Sequence, residues 1–166
     1  MITKELTALE ALGVAVRREM DAQQIFRDLA SSCTSPLARE RFQLLVNEAR
    51  QHEAMLRRRY VELFPDVVLS VPPSMAPVPA GASGGAGLRE ALRLASDAEW
   101  QARDFFLDAA STASDLSGQA MFRFLAGVHA QHHMQLASEY ELVLQYPHAY
   151  DDQETPWRSE TRSGGK

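Results

Sequence analysis

The fold is decided by a stretch that occurs twice in the chain: residues 11–26 read ALGVAVRREMDAQQIF, and residues 91–106 read ALRLASDAEWQARDFF. The similarity continues to residues 60 and 140 at a constant offset of 80 residues and without a gap. Identity at many positions without an insertion indicates an internal repeat. The residues shared by both copies include a glutamate and a histidine, types that are costly to bury: Glu19 and Glu99, His52 and His132.

The bulk composition indicates one globular domain. The chain has 166 residues, of which 45% are apolar, so it can bury a substantial core. Its net charge is −5 and its basic residues form no single patch, so we expect neither a nucleic-acid nor a membrane partner. The lone cysteine, Cys33, excludes an intrachain disulfide and a Cys-x-x-Cys site. No apolar run approaches the roughly 18–20 residues that span a bilayer, and the N-terminus lacks a hydrophobic signal core. The expected compartment is the cytoplasm.

The apolar residues recur at the three- and four-residue steps of amphipathic helices. This pattern predicts four helices, at residues 4–31, 36–63, 88–112 and 116–146. Ser35 followed by Pro36 is a helix-start signal, and Asp115 takes the same place before the fourth helix. Residues 147–166 have no periodicity and are expected to form a tail.

A long segment rich in proline and glycine, residues 64–87, separates the second helix from the third. Neighbouring antiparallel helices need only about 2–8 linking residues. A connection of about 20 residues can travel the length of a helix of about 42 Å, so we expect the third helix to be parallel to the second. The predicted fold is an all-α, ferritin-like four-helix bundle over residues 1–146, built from two helical hairpins at 4–63 and 88–146.

Glu19 and Glu99 lie in the middle of apolar stripes, where an unpaired carboxylate costs several kcal/mol. One interpretation is a polar network in which histidine or tyrosine donates to each glutamate. The other is a metal site, because His52, His129 and His132 lie on the stripes of the other two helices. Carboxylate oxygen and imidazole nitrogen together suit iron, manganese or zinc. The sequence favours the metal interpretation.

The spacing of these residues supports that choice. Glu19 and His52 are 33 residues apart, as are Glu99 and His132, so each hairpin raises one glutamate and one histidine to a common level. His129 and His132 are three residues apart and therefore share one helix face.

Four segments resemble the helices of rubrerythrin-like proteins of the ferritin family. Residues 18–26, REMDAQQIF, and 98–106, AEWQARDFF, are similar to that family's Glu-x-x-Ala-x-x-aromatic helices, while residues 44–56 and 124–136 are similar to its Glu-x-x-His helices. The resemblance spans about residues 5–146. It implies a di-iron centre that reacts with dioxygen or peroxide, often in a homodimer, with an electron donor that the sequence does not identify.

The sequence departs from the family pattern at the bridging carboxylates. Ala49 stands three residues before His52, and His129 stands three residues before His132, where the family has glutamate. Glu48 can compensate as a ligand, since it lies four residues before His52, or it can be a surface residue beside the arginines.

Three hypotheses follow, and the catalytic residues stay unassigned in each. The first is a metalloprotein with an asymmetric site that holds iron, with zinc or manganese as alternatives, and acts as an oxidase or peroxidase or handles iron. Its candidate metal ligands are Glu19, His52, Glu99, His129, His132 and Glu48. The second is a bundle that has lost redox function and serves as a scaffold or binding protein. The third is a single zinc or iron ion used for structure or sensing.

Overall fold

The structure is a computed structural model and describes residues 7–74 and 85–147. These ranges contain four helices and no strand: α1 (Ala8–Ser32), α2 (Pro36–Leu63), α3 (Gly85–Thr112) and α4 (Leu116–Gln145). The predicted all-α four-helix bundle is confirmed. The N-terminal start of the predicted first helix, the middle of the crossover and most of the predicted tail lie outside the described residues.

The helix starts follow the capping signals of the sequence. Ser35 accepts a hydrogen bond from the backbone of Ala38 and is followed by proline, while Asp115 accepts from the backbone N–H of Gly118 at 2.8 Å. The start of α1 was not predicted: Thr7 accepts from the backbone N–H of Glu10 at 3.2 Å, and the Glu10 carboxylate accepts from the Thr7 N–H at 3.0 Å. Such a capping box satisfies two backbone donors that the first helical turn leaves unpaired.

The core consists of two apolar clusters, one towards each end of the bundle. Representative members of the first cluster are Phe26, Leu29, Phe42, Leu92 and Leu136. Representative members of the second are Leu12, Leu56, Phe106, Phe122 and Leu125. On each helix the change from one cluster to the other falls at a polar residue: Glu19, His52, Glu99 or the His129–His132 pair. These polar residues therefore meet near the middle of the bundle, between the two apolar clusters.

The order of the clusters along each helix gives the helix directions. Both α2 and α3 run from the first cluster to the second, whereas α1 and α4 run the opposite way. The parallel arrangement of α2 and α3 agrees with the expectation from the long crossover. α1 packs against α2 and α3 packs against α4 as hairpins, and α1 also contacts α3.

The first part of the crossover is held against α1. Leu69 and Val71 pack on the second cluster, and a Cβ at Gly13 would collide with the carbonyl oxygen of Ser70. The Arg17 Nε donates to the carbonyl oxygen of Pro72 at 2.6 Å. Glycine is thus required at position 13 by the close approach of the crossover. In the described ranges, no helix combines the length and apolar character that crossing a bilayer needs.

Candidate metal centre

The two repeat-equivalent glutamates are buried in the middle of the bundle. Glu19 on α1 is 1% exposed and Glu99 on α3 is 3% exposed. Each follows the apolar stripe of its helix, so the same periodicity that buries leucine and phenylalanine also buries these carboxylates. Two buried carboxylates need cationic or hydrogen-bonding partners close by.

His129 of α4 lies between the two glutamates and contacts both. Its Nδ1 is 2.6 Å from Glu99 Oε2, and its Nε2 is 3.0 Å from Glu19 Oε1. The ring is stacked on Phe106, with centroids 4.9 Å apart and planes inclined by 11°. Because an ionised carboxylate only accepts hydrogen bonds, both ring nitrogens must donate, and His129 is an imidazolium ion in this arrangement.

The charges in this contact shift the pKa values of all three groups. Burial lowers the pKa of His129, but the charges and hydrogen bonds of Glu99 and Glu19 outweigh it and raise the pKa to about 10. Burial raises the pKa of Glu99, but the charge of His129 and its hydrogen bond lower that pKa to about 2. Burial also raises the pKa of Glu19. The neighbouring histidines, above all through the hydrogen bond from His129, outweigh this effect and leave the pKa of Glu19 below its usual value.

His132 is one turn further along α4 and contacts two carboxylates, those of Glu48 and, like His129, Glu99. Its Nε2 donates to Glu48 Oε2 at 2.9 Å, and its Nδ1 is 3.4 Å from Glu99 Oε2. The edge of the Phe26 ring meets it at a centroid distance of 5.8 Å. Burial lowers the pKa of His132, but Glu99 and Glu48 more than compensate and raise it.

His52 of α2 completes the ring of side chains. Its Nδ1 is 3.5 Å from Glu19 Oε2, and its side chain is 12% exposed. The His52 ring is 6.5 Å from the ring of His132, measured between centroids. All six residues proposed from the sequence therefore form one connected group around the glutamate pair.

Glu48 resolves part of the choice left open by the sequence. Its side chain is 53% exposed, so it is a surface residue, and its carboxylate still reaches His132. Ala49, the neighbouring residue, is 1% exposed and occupies the buried position of the helix. This agrees with the rotation of about 100° between consecutive helical residues. A carboxylate at the buried position is therefore missing from α2.

The residues present fit a metal ion in two respects. Glu99, His129 and His132 each offer one ligand atom, and these three atoms lie within 4.8 Å of one another. In addition, three buried atoms of this group have only long contacts among the described residues: Glu19 Oε2 and His52 Nδ1 face each other at 3.5 Å, and His132 Nδ1 is 3.4 Å from Glu99 Oε2. Buried polar atoms held this loosely are stabilised when a further partner binds them.

Two openings flank the group. An open groove of about 410 Å³ lies between α2 and α4 and is lined by Glu48, His52, His132 and several glutamine side chains. A smaller pocket of about 90 Å³ lies between α1 and α3 and reaches Glu99 and His129. Small molecules can therefore approach the group from either side.

Two residues of the site were not predicted from the sequence. Phe106 is the last residue of the segment 98–106, and its stacking on His129 depends on how α3 and α4 are rotated against each other. Arg18 precedes Glu19 and lines the smaller pocket beside Glu99. The only feature of the sequence that could have indicated a role for Arg18 is its position next to Glu19.

The comparisons with known proteins agree with this architecture. A structure of a hypothetical protein from Pyrococcus furiosus superposes with a TM-score of 0.78 at 27% sequence identity, covering 87% of this chain and 95% of that protein. A structure of an uncharacterized conserved protein from Magnetospirillum magnetotacticum has a TM-score of 0.63 at 20% identity, covering 82% of this chain and 95% of that one, and it supports the fold alone. No curated protein matches the chain. The family model described as Rubrerythrin matches residues 10–141. The chain therefore belongs to the rubrerythrin family, and its fold is the ferritin-like four-helix bundle.

Proposed function

We propose that this protein binds a divalent transition metal ion, iron in the first place, at the centre of its bundle and uses it in oxidation–reduction chemistry with dioxygen or peroxide. The observation that carries the proposal is the group formed by Glu99, His129 and His132, whose ligand atoms lie within 4.8 Å of one another. Carboxylate oxygen with two imidazole nitrogens is a donor set suited to iron, manganese or zinc. Membership of the rubrerythrin family supports iron among these three.

Charge balance favours one tightly held ion. Glu19 and Glu99 are the two fully buried carboxylates of the group, and a single divalent ion neutralises them. The bridging glutamate of α2 is replaced by Ala49, so a second ion would find fewer anionic ligands and bind weakly.

The histidines must lose protons before they can serve as ligands, because only the neutral ring has a free nitrogen lone pair. His129 is held as an imidazolium ion by Glu19 and Glu99, so it would have to release a proton before one of its nitrogens could bind a metal ion. The stacked Phe106 ring keeps the imidazole in place as the proton leaves. Glu48 orients His132 from the groove side, as outer carboxylates commonly do for histidine ligands.

An iron ion in this position would supply a centre that changes oxidation state and has open coordination positions. The chain supplies the surroundings. Phe26 and Phe106 line the group with apolar surface, and the groove between α2 and α4 gives small molecules a route to His52 and His132.

One observation favours a second candidate, a scaffold that has lost its metal. His129 donates to one oxygen of each buried glutamate, which is the polar network that the sequence offers as the alternative to a metal site. Protonated His129 and His132 together would balance the charges of Glu19 and Glu99 without a metal ion. A single structural or sensing ion of zinc or iron is the third candidate, since the same triad suits either metal.

Metal analysis of protein purified without chelators separates these candidates. We expect about one ion per chain in the wild type, loss of that ion in Glu99→Gln, and retention in the matched control Glu40→Gln, which removes an exposed carboxylate of α2. Adding ferrous iron and then hydrogen peroxide should give faster ferrous oxidation than the same iron free in buffer.

Other results of the same measurements would favour the alternatives. Absence of metal, together with a melting temperature unchanged by added Fe²⁺, Mn²⁺ or Zn²⁺, would support the scaffold. One tightly bound zinc ion and no acceleration of ferrous oxidation would support the structural or sensing site.

A further inference from the structure

The smaller pocket, between α1 and α3, is lined by charged side chains in addition to the metal-site residues Glu99 and His129. Its volume is about 90 Å³, enough for a few atoms, since one water needs roughly 10–15 Å³ and drug-sized ligands need about 300 Å³ or more. The crossover adds Pro72 to its wall, and the polar residues of the wall come from three helices: Arg17, Arg18, Asp21, Glu99, Gln101 and His129.

Arg18 is held in a fixed position with unused hydrogen-bonding capacity. Its guanidinium group lies over the ring of Phe105, 4.8 Å from the centroid. The Nε is buried and has no hydrogen-bond partner among the described residues. A buried guanidinium N–H without a partner is costly, and its planar group of donors matches the oxygens of a carboxylate or phosphate.

Two carboxylates, Asp21 and Glu99, attract Arg18, and each of them is also close to another cation. Glu99 is already matched by His129 at 2.6 Å and by His132 at 3.4 Å. Asp21 lies 3.7 Å from the Nη1 of Arg17. Asp21 and Glu99 also favour the charged form of Arg18, so what is unmatched among the described residues is the Nε donor of Arg18 rather than its charge.

The crossover gives the pocket a fixed wall. Arg17 Nε donates to the carbonyl oxygen of Pro72 at 2.6 Å, which holds the crossover over the gap between α1 and α3. The remaining wall is apolar and includes Ile25, Ala98 and Ala102. A ligand in this space would have one polar end towards Arg18 and little room for anything larger than a methyl group.

We propose that this pocket binds a small oxyanion, such as formate, acetate, hydrogencarbonate or inorganic phosphate, through the guanidinium group of Arg18. The site lies beside Glu99 and His129 but is built from side chains that need no metal, so it does not depend on the proposed function. Arg17 and Pro72 limit its size, and Phe105 fixes the orientation of Arg18.

Calorimetric titration of metal-free protein in chelator tests this proposal. Sodium formate, acetate, hydrogencarbonate, phosphate and benzoate are titrated separately at constant ionic strength, with chloride as the balancing anion. We expect saturable binding of at least one of the four small anions and none of benzoate, which is too large. The anion that binds most tightly identifies which kind of oxyanion, a carboxylate, hydrogencarbonate or phosphate, the pocket prefers.

Three variants locate the binding. Arg18→Gln should weaken it at least tenfold, and Phe105→Leu, which keeps the arginine and removes its support, should weaken it by a smaller factor. The control Arg50→Gln removes an exposed arginine of α2 and should leave the affinity unchanged. Circular dichroism melts verify that each variant is folded.

Any of three results would overturn the proposal. They are the absence of saturable binding for all four small anions, equal affinity in Arg18→Gln and the wild type, and binding that appears only after Zn²⁺ is added. The last result would place the anion on a metal ion. Metal content is measured separately, so failure of the anion site is distinguishable from failure of the metal site.

Discussion

The imidazole of His129 lies almost parallel to the ring of Phe106, with centroids 4.9 Å apart and an interplanar angle of 11°. This stacking fixes the plane of His129, and with it the directions in which Nδ1 and Nε2 meet Glu99 and Glu19. Phe106 is also fully buried in the second core cluster, so one side chain links the packing of the bundle to the geometry of the site.

Phe106→Leu is therefore expected to weaken metal binding more than a comparable core substitution that leaves the stacking on His129 intact. The substitution removes the flat surface behind His129 and should cost on the order of 1–3 kcal/mol of unfolding free energy. We expect Co²⁺ affinity, followed by visible absorption, to fall several-fold. Phe122→Leu is the control, because Phe122 packs on Phe106 at 6.2 Å in the same cluster. Equal losses of affinity in both variants would mean that stacking has no special role.

The absent carboxylate of α2 gives a gain-of-function prediction. Ala49 is 1% exposed and lies one turn before His52, where the family has a bridging glutamate. Ala49→Glu should place a third buried carboxylate beside the site and raise the iron or cobalt content from about one towards two ions per chain. Metal content and a Co²⁺ titration measure this. If the variant is merely less stable and its stoichiometry is unchanged, the α2 position does not face the metal.

Cys33 should be unreactive in the folded protein. Its thiol is 2% exposed and its Sγ lies 3.2 Å from the carbonyl oxygen of Leu29. Burial raises the pKa of the Cys33 thiol to about 11. Because the thiolate is the reactive form, reaction with a disulfide reagent at pH 8 should be at least about 100-fold slower than in denaturant. Similar rates with and without denaturant would show that the turn between α1 and α2 opens readily.

Much of the fold could be predicted because its signals are local. The caps at Ser35 and Asp115 and the apolar stripes each depend on a few neighbouring residues, and the structure has them where the sequence indicates. The 33-residue spacing placed a glutamate and a histidine at one level in each hairpin. Those levels coincide because the hairpins also pack against each other.

The contacts within the site could not be predicted, because they depend on helix rotation and on long side chains. Sequence spacing placed His129 near both glutamates, and only packing shows that its two nitrogens divide between Glu19 and Glu99. Glu48 projects away from the buried stripe, as helix geometry requires, and its length lets it reach His132. Arg18 could not be predicted as a site residue, because it lies beside Glu19 but off the apolar stripe from which the buried residues were identified.

The metal-free protein should be most stable between about pH 4.5 and 6.5. The pKa of Glu99 falls to about 2 in the fold, so its contribution is complete above the ordinary glutamate pKa of about 4.3 and is lost as the pH falls towards 2. The pKa of His129 rises to about 10, so its contribution is complete below about pH 6.5 and is lost as the pH rises towards 10.

Urea unfolding in chelator across this pH range measures the effect. Each of the two histidines with a raised pKa, His129 and His132, can contribute at most about 1.4 kcal/mol per pH unit to the alkaline decline. The variant His129→Gln should be less stable at pH 6 and should lose the part of the alkaline decline that His129 contributes, leaving only the part due to His132, whose pKa Glu99 and Glu48 also raise. A wild-type stability that stays constant from pH 6.5 to 9.5 would mean that His129 is neutral in the metal-free protein, and the buried glutamates would then need another source of positive charge.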